Sequence, residues 1–327
     1  MSDRKIAFIF VPAGGQKSGM GEFLGEFGKN PFEKAGNILG INLEEICLKN
    51  PLDKLNLAQY TYAAIYAQSM ATHDLLIEHG IKPDVVVGYS LGEYTALCAA
   101  GVYGYEEGLN FLFKCSEKYQ NSFHEGKYGM ALATGIGIKK LRNACRKVRE
   151  EGNEVYISNY NAPGFYLISG EKAAFSKVKK ELGGKGIRTA RVNLPSHFPL
   201  VKPVEKEIYS EILALMAEVK KPDTKLISTV TAEFADNIET IKNNLKVHLS
   251  SPVQWEKTVY TMLIFGINTF IEVGPTGGLY KTILGISKAC NKDVEVYTTT
   301  DSEGLEKALQ IQKTMNEKIV HSFAYAV

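Results

Sequence analysis

The sequence is poor in the features that mark disulfide-bonded, metal-binding and membrane-spanning proteins. Its five cysteines are odd in number and widely spaced, which disfavours a disulfide framework and favours a reducing compartment. Neither they nor the six histidines show metal-ligand spacing, so we predict no metal site. No apolar run approaches the roughly 20 residues that a membrane-spanning helix needs. The cysteines are Cys47, Cys98, Cys115, Cys145 and Cys290.

The amino terminus also lacks a recognisable secretory signal. Its apolar run, Ile6–Val11, is short and is followed by no cleavage pattern, so we interpret it as a buried strand. Hydrophobic residues make up 45% of the 327 residues and charged residues 23%, as in ordinary globular proteins. We therefore expect a cytoplasmic protein with no membrane or nucleic-acid partner.

Net charge is only +2, but it is unevenly distributed. Between Lys127 and Arg191 the chain has 14 lysines and arginines against 5 acidic residues, so the remainder is acidic. This asymmetry predicts that one lobe meets an acidic partner, although two solvated lysine-rich helix faces would produce it as well. The basic residues that we single out are Lys139, Lys140, Arg142, Arg146, Lys179 and Lys180.

Alternating apolar runs and helical patterns predict an α/β fold outside this basic region. Strand Ile6–Val11 leads into a glycine-rich loop, a helix is predicted from Asn56 to Glu78, and strand Asp84–Gly88 follows. The alternation resumes after residue 194. Its predicted elements there are helix Pro203–Glu218, strands Leu226–Val230 and Thr269–Val273, and a helix in the tail from Gly304.

The middle of the chain has the different order βαββαβ, which is that of the ferredoxin-like split motif. We therefore predict an α/β-hydrolase-like parallel-sheet core, formed by residues 1–127 and 195–327, with an inserted ferredoxin-like subdomain at residues 128–194. The predicted elements of the insertion are strand Gly129–Ile136, helix Lys139–Glu151, strands Glu154–Tyr160 and Gly164–Ser169, helix Glu171–Leu182 and strand Ile187–Asn193.

The most informative stretch is Gly88-Tyr89-Ser90-Leu91-Gly92, a Gly-x-Ser-x-Gly motif between a strand and a helix. The sharp turn crowds the backbone, so glycine is needed on both sides of the serine. The Ser90 hydroxyl would then lie exposed at the edge of the sheet, with the Leu91 N–H directed toward a developing oxyanion. The alternative is a glycine-rich turn with an inert serine.

A serine hydroxyl needs a base to become a useful nucleophile. The candidate is His197, which follows the last predicted strand of the insertion within Pro195-Ser196-His197. That strand gives a rigid exit from which the ring could face Ser90. A single histidine is, on its own, more often structural than catalytic.

Four motifs together resemble the malonyl-CoA:acyl-carrier-protein transacylase family, to which polyketide synthase acyltransferase domains belong. They are Gly88–Glu93, Pro195-Ser196-His197, Pro252-Val253-Gln254-Trp255 and Glu272-Val273-Gly274-Pro275, in the family's order and spacing. The resemblance covers residues 5 to about 300, and the ferredoxin-like insertion agrees with it.

The resemblance implies ping-pong acyl transfer through an acyl-Ser90 intermediate, with His197 as base and then acid. It implies backbone N–H groups of Leu91 and Ala13 as the oxyanion hole, and a backbone carbonyl rather than a carboxylate that orients His197. No cofactor is bound permanently. The phosphopantetheine arm of an acyl carrier protein, or CoA, is the substrate, and the acidic carrier would meet the basic lobe.

This sequence departs from the family where the acyl group is bound. Ala13 and Tyr62 stand in place of glutamines, Tyr89 in place of histidine, and Cys115 where malonyl-specific members have an arginine that pairs with the malonyl carboxylate. A cysteine cannot replace that arginine. We therefore predict an uncharged acyl group in a pocket lined by Cys115, Tyr89 and Tyr62. If the alignment slips by one residue, Lys114 would bind malonate instead.

Four other functions remain open from the sequence. An acyl-carrier-protein acyl hydrolase would remove stranded acyl groups in a polyketide pathway, and an ordinary malonyl transferase would keep the malonyl substrate. A general esterase would place an acidic residue between serine and histidine and often carry a His-Gly-Gly loop, and no His-Gly-Gly stretch is present. A non-catalytic docking scaffold would need neither Ser90 nor His197.

Overall fold

The computed structural model describes residues 4–123, 126–190, 194–208, 210, 214, 217 and 219–311. These residues form two β-sheets with helices around them. The strands are β1 (Ile6–Phe10), β2 (Val85–Gly88), β3 (Tyr128–Thr134), β4 (Val155–Ala162), β5 (Phe165–Glu171), β6 (Ile187–Thr189), β7 (Lys225–Ile227), β8 (Thr269–Val273) and β9 (Glu295–Thr298).

The larger sheet has the strand order β7-β2-β1-β8-β9, and all its pairings are parallel. Every residue of β1, β2 and β8 is buried, as expected for parallel strands covered by helices on both faces. Successive residues of β1 alternate between two cores: Phe8 and Phe10 belong to one, and Ala7 and Ile9 to the other. The sheet is therefore the middle layer of a three-layer α/β core.

Twelve α-helices lie in the described part of the chain. They are α1 (Pro31–Leu39), α2 (Leu43–Lys49), α3 (Ala58–Glu78), α4 (Gly92–Ala99), α5 (Tyr105–Asn121), α6 (Ile138–Glu150), α7 (Lys172–Glu181), α8 (Lys202–Glu207), α9 (Ile238–Val247), α10 (Trp255–Phe265), α11 (Tyr280–Ala289) and α12 (Ser302–Leu309). Within that part of the chain, none has the length and apolar character that crossing a membrane requires.

The smaller sheet is antiparallel, with the strand order β4-β5-β3-β6. Helices α6 and α7 pack on it around a separate core that contains Leu141, Val148 and Val178. The chain order β3-α6-β4-β5-α7-β6 is the predicted ferredoxin-like arrangement. The predicted limits of this subdomain, 128 and 194, stay a prediction, and residues 191–193 lie outside the described part.

Most predicted elements are found within two residues of their expected ends, and strand Thr269–Val273 has the predicted bounds. Two strands end three or more residues before their predicted ends. β7 ends at Ile227 because the following residues turn and bond to Glu93, and β6 ends at Thr189. Much of the predicted helix Pro203–Glu218 and the end of the tail, residues 312–327, lie outside the described residues.

The two sheets are joined beside the catalytic motifs. The Tyr160 N–H donates to the Val253 carbonyl at 2.9 Å, and the Val253 N–H donates to the Ser158 carbonyl at 2.8 Å. Edge strand β4 thus pairs with the loop that leads into α10. This connection holds the small subdomain against the carboxyl ends of β1 and β2, where Ser90 lies.

Candidate active site

The turn that carries Ser90 requires glycine on both sides. A Cβ on Gly88 would lie 2.0 Å from the Gly92 carbonyl oxygen, and one on Gly92 would lie 2.1 Å from that of Phe10. Ser90 itself has φ 54°, a left-handed conformation that is strained for a residue with a side chain. This geometry matches the predicted strand–turn–helix motif and exposes the serine hydroxyl beyond the end of β2.

Ser90 and His197 are brought together across 107 residues of sequence. The Ser90 Oγ and the His197 Nε2 lie 2.7 Å apart, which is hydrogen-bonding distance. The His197 N–H donates to the Leu249 carbonyl at 2.7 Å, and φ at His197 is 60°. The two predicted catalytic residues therefore lie at the distance that a nucleophile and its base require, and their roles stay a prediction.

Two backbone carbonyls orient the imidazole. The Nδ1 of His197 lies 3.1 Å from the carbonyl oxygen of His248 and 3.1 Å from that of Ser251. Carbonyls only accept, so Nδ1 must carry the proton, and Nε2 is left to accept from the Ser90 hydroxyl. This agrees with the implied orientation by a carbonyl and needs no carboxylate partner.

Burial keeps His197 neutral. Its side chain is 1% exposed, and this desolvation lowers its pKa to about 4, while the bonds to the His248 and Ser251 carbonyls act in the opposite direction. A neutral imidazole near pH 7 is the form that can take the serine proton. The electrostatic setting thus suits general-base catalysis.

The geometry near the turn that carries Ser90 is compatible with the predicted oxyanion hole. Leu91 precedes the first residue of α4, where helix N–H groups have no intrahelical acceptor. The Tyr89 N–H donates to the Phe10 carbonyl at 3.0 Å, so the end of β1 lies against the turn that carries Ser90. Ala13 follows three residues later and is half-buried. Its N–H as the second donor stays a prediction.

The residue that the resemblance aligns with the family's arginine is buried. Cys115 on α5 is 5% exposed, whereas Lys114 is exposed to solvent. One turn before Cys115, Phe111 packs against Tyr94, and one turn after it the Tyr119 hydroxyl donates to the Pro195 carbonyl, two residues from His197. Cys115 therefore lies on the stripe of α5 that faces the catalytic loops, and Lys114 does not.

The two predicted pocket tyrosines have different surroundings. Tyr89 is buried in the core on the opposite side of the large sheet from Cys115. Its hydroxyl donates to Asn161 Oδ1 at 2.6 Å, and it accepts from Asn159 Nδ2 at 2.8 Å. Tyr62 on α3 is half-buried beside the core that contains Cys115, and burial raises its pKa to about 12. Acyl binding by either tyrosine stays untested, and the contacts of Tyr89 favour a structural role.

Sequence reasoning missed two buried polar residues at the site. The His248 ring lies 5.3 Å from that of His197 and 5.1 Å from that of Tyr94, and burial lowers its pKa to about 3. Glu93 accepts from the Ser228 hydroxyl and from the Thr229 N–H and hydroxyl. Glu93 directly follows the serine motif, which could have drawn attention to it, but nothing in the sequence marks His248.

Nothing points to a metal centre in the part of the chain that is described, because no three His, Cys, Asp or Glu side chains there cluster as ligands. The groups that the structure does bring together are the Ser90 hydroxyl and the His197 imidazole. Such a set attacks a carbonyl carbon and transfers an acyl group.

Comparisons of the sequence with known proteins agree with this chemistry. The family model described as "Acyl transferase domain" matches residues 7–299. Over 319 residues the chain is 33% identical to the malonyl CoA-acyl carrier protein transacylase of Bacillus subtilis strain 168, covering 96% of this chain and 99% of that protein. Over 306 residues it is 29% identical to the Haemophilus influenzae protein of the same name, covering 91% and 96%.

Solved structures give the same result. The malonyl CoA-acyl carrier protein transacylase of Clostridium perfringens superposes with a TM-score of 0.86 at 30% identity, covering 97% of this chain and 99% of that one. A malonyl-transacylase in complex with a type II polyketide synthase acyl-carrier protein superposes with a TM-score of 0.84 at 26% identity, covering 94% and 99%. The α/β core and its ferredoxin-like subdomain are those of these enzymes.

The sequence matches, the fold and the serine–histidine pair thus lead to one family. The resemblance that was carried by four motifs is confirmed over nearly the whole chain. The chain belongs to the malonyl-CoA:acyl-carrier-protein transacylase and polyketide synthase acyltransferase family, and it is an acyl-carrier-protein acyltransferase of fatty acid or polyketide synthesis.

Proposed function

We propose that this enzyme transfers an acyl group without a terminal carboxylate between thioesters of CoA or an acyl carrier protein. The observation that carries the proposal is Cys115, buried where malonyl-specific members have an arginine, with Lys114 turned to solvent. No cofactor needs to stay bound, since the phosphopantetheine thioester is itself the substrate.

The proposed reaction has two matched halves. The Ser90 Oγ attacks the thioester carbonyl carbon while its proton passes to His197 Nε2, and N–H groups of Leu91 and Ala13 stabilise the oxyanion. The C–S bond then breaks, and the leaving thiolate takes the proton from His197. In the second half, the thiol of the accepting phosphopantetheine gives its proton to His197 and attacks the acyl-Ser90 ester, which releases the serine hydroxyl.

The missing arginine decides the acyl preference through desolvation. A carboxylate moved into a buried pocket without a cationic partner costs several kcal/mol, and each 1.4 kcal/mol is a factor of ten in binding. The Cys115 thiol carries no positive charge to offset this cost. An acetyl or longer uncharged acyl group carries no such penalty and gains from apolar contact with the buried α5 stripe.

The proposal is tested by loading the enzyme with acetyl- or malonyl-carrier protein and following the intact mass. We expect an acetyl adduct that is absent in Ser90→Ala, and much slower malonyl loading. Cys115→Arg should shift the preference toward malonyl, whereas Lys114→Arg, the matched control on the exposed face, should not. Efficient malonyl loading of the wild-type protein would instead make it an ordinary malonyl transferase.

Hydrolysis is the second candidate function. The same missing arginine favours it, because an acyl hydrolase that removes stranded acyl groups would also form an uncharged acyl-Ser90 intermediate. Water would attack the ester in place of the thiol, again giving its proton to His197. Free acid that forms faster than acyl-transfer product would identify the hydrolase. A docking scaffold is ruled out if any acyl-Ser90 turns over.

An acidic carrier protein is the proposed macromolecular partner, bound at the basic face of the small subdomain. Support comes from the side chains of α6 and α7, which are exposed at all six of the positions Lys139, Lys140, Arg142, Arg146, Lys179 and Lys180. Reversing two of these charges should weaken carrier binding and reduce its salt dependence. Unchanged affinity and salt dependence would remove this face from the proposal.

A further inference from the structure

A cleft of about 400 Å³ lies between α6, the edge strand β4 and the loops that carry the catalytic histidine. Its size is within the range of small-molecule sites, roughly 300–1,000 Å³. Pro252 and the buried His197 line it together with three arginines of α6, of which Arg142 and Arg146 are exposed. The cleft therefore extends from the catalytic base to the basic surface of the small subdomain.

The arginines share one face of α6. Arg142, Arg146 and Arg149 are spaced by four and three residues, so their side chains lie on one stripe of the helix. From the first to the last, this stripe is about 10 Å long at a rise of roughly 1.5 Å per residue. A long ligand could lie along the stripe with its reactive end toward His197.

Two of these guanidinium groups are held by tyrosines of β4. Arg142 lies 5.6 Å from the centroid of the Tyr160 ring, and Arg149 lies 4.8 Å from that of Tyr156. Arg149 also donates to the Val155 carbonyl at 2.8 Å. Stacking restricts the arginine side chains before any ligand binds, so less conformational entropy is lost on binding.

The positive charge in the cleft is not fully neutralised by the protein. Arg146 pairs with Glu150 at 2.6 Å, and Glu154 accepts from the Tyr156 hydroxyl. Within the described residues, neither Arg142 nor Arg149 has a carboxylate at ion-pair distance, and no acidic residue lines the cleft. Free N–H groups of a guanidinium bind phosphate oxygens in a bidentate manner.

We propose that this arginine cleft is the subsite for the phosphate of the phosphopantetheine arm, with Arg142 as its ligand. The inference rests on the proposed function, which supplies a substrate with a phosphate at one end and a thioester at the other. The phosphate belongs either to CoA or to the arm of a carrier protein, and both would present the same group to the cleft.

The test compares acetyl thioesters that differ only in phosphate. Acetyl-pantetheine and acetyl-4′-phosphopantetheine are used to load wild-type protein, and the KM and kcat of Ser90 acylation are measured. We expect the phosphate to lower KM in the wild type. Arg142→Gln should remove about tenfold of this advantage, as expected for one charge-assisted hydrogen bond.

Three further variants distinguish a specific contact with the phosphate from the overall effect of positive charge on the subdomain. Lys185→Gln removes one positive charge from an exposed site of the same subdomain outside the cleft, and it should retain the phosphate advantage. Arg142→Lys keeps the charge but loses the planar fork, so it should recover only part of the advantage. Arg149→Gln, which also loses the bond to Val155, is accompanied by a urea unfolding curve.

The outcomes distinguish this inference from the proposed function. If no thioester acylates Ser90, the proposed function fails. If acetyl-pantetheine and acetyl-phosphopantetheine react equally in the wild type, or if Arg142→Gln retains the full phosphate advantage, the arginine cleft is not the phosphate subsite. Repeating the series with acetyl-CoA and acetyl-carrier protein shows which source of the phosphate depends on Arg142.

Discussion

At the scale of single residues, the surroundings of His197 fit its proposed role as base. The carbonyls of His248 and Ser251 fix which nitrogen bears the proton, and burial favours the neutral ring. The same burial leaves His248 in ring contact with His197 and with an even lower pKa. Two adjacent histidines that are kept neutral make the site sensitive to acid.

The first prediction concerns how the rate of Ser90 acylation falls at acid pH. His197 must be neutral to accept the serine proton, and its pKa is lowered to about 4 from an ordinary value of 6.5. We therefore expect kcat/KM for Ser90 acylation to stay high from pH 7 down to about 5 and to fall as pH approaches 4. A pH–rate profile with acetyl-pantetheine measures this. A kcat/KM that already falls near pH 6.5 would contradict the inferred effect of burial.

The second prediction concerns stability toward acid. Both histidines bind protons more weakly in the folded than in the unfolded state, so between about pH 6.5 and pH 4 the unfolded state binds more protons and stability falls as pH falls. His248→Gln removes one of these groups, so its unfolding free energy should fall less steeply. Urea unfolding at several pH values, with the exposed His79→Gln as matched control, measures the slopes. Equal slopes for His248→Gln and the wild type would show that His248 is not responsible.

At the scale of elements, the site depends on close backbone contacts between β1, β2 and α4. Glycine permits these contacts because a side chain would overlap with main-chain atoms that cannot move away.

Buried carboxylates cap the ends of a helix and of a loop. Glu272 at the end of β8 accepts from the N–H groups of Gly278, Leu279 and Tyr280 at the start of α11.

The third prediction tests whether the turn at Ser90 requires glycine at position 88. In Gly88→Ala the new methyl group would meet the Gly92 carbonyl at 2.0 Å, so the turn must open and Ser90 acylation should be lost. Gly285→Ala is the matched control, because its Cβ would meet nothing within 4 Å and alanine favours the helix by roughly 0.5–1 kcal/mol. The acyl-enzyme yield and the thermal midpoint of each variant are compared. A fully active Gly88→Ala protein would contradict the described turn.

The fourth prediction concerns the Glu272 cap. In Glu272→Gln the carboxylate oxygen becomes an amide nitrogen, which cannot accept from the helix N–H groups. One or two buried donors then lose their acceptor, at a cost of about 1–3 kcal/mol in unfolding free energy. Urea unfolding measures the loss, and Glu256→Gln on the more exposed face of α10 serves as control. No loss in Glu272→Gln would mean that its bonds contribute little to stability.

At the scale of the whole molecule, the proposed catalysis requires two lobes to stay in one relative position. Ser90 belongs to the large α/β core, and His197 follows the last strand of the small subdomain. The lobes are tied by the pairing of β4 with Val253 and by the hydrogen bonds between Tyr89 and the side chains of Asn159 and Asn161. The Tyr89 ring also packs edge-on against Trp255 at 5.5 Å.

The fifth prediction tests this tie between the lobes. Tyr89→Phe keeps the ring but leaves two buried asparagines without their partner, which should cost about 1–3 kcal/mol of stability. It should also lower kcat for acylation, because the small subdomain that aims His197 is held less firmly. Tyr260→Phe is the control, because the Tyr260 hydroxyl donates to Glu256 of its own helix. An unchanged kcat in a destabilised Tyr89→Phe protein would limit Tyr89 to stability.

The sequence by itself determined the fold class, the order βαββαβ of the insertion, and the serine-bearing turn. These follow from local rules: a two-residue period in strands, a helical period in helices, and the need for glycine in a crowded turn. The role of His197 was predicted through the family resemblance, since no local pattern marks it. Helix geometry also predicted that Lys114 and Cys115 face different directions, because adjacent residues on a helix point about 100° apart. The resemblance to the family indicated which of the two faces the acyl site.

Only the tertiary structure decided which distant groups meet. The 2.7 Å contact between Ser90 and His197, the two carbonyls on Nδ1, the neighbouring His248 ring and the arginine cleft all join residues far apart in the chain. Tyr89 shows the difference most clearly: its place before the serine suggested the acyl pocket, yet its side chain binds Asn159 and Asn161 of the other lobe. Such contacts depend on how packed elements are arranged in space, and neither propensity nor periodicity along the chain carries that information.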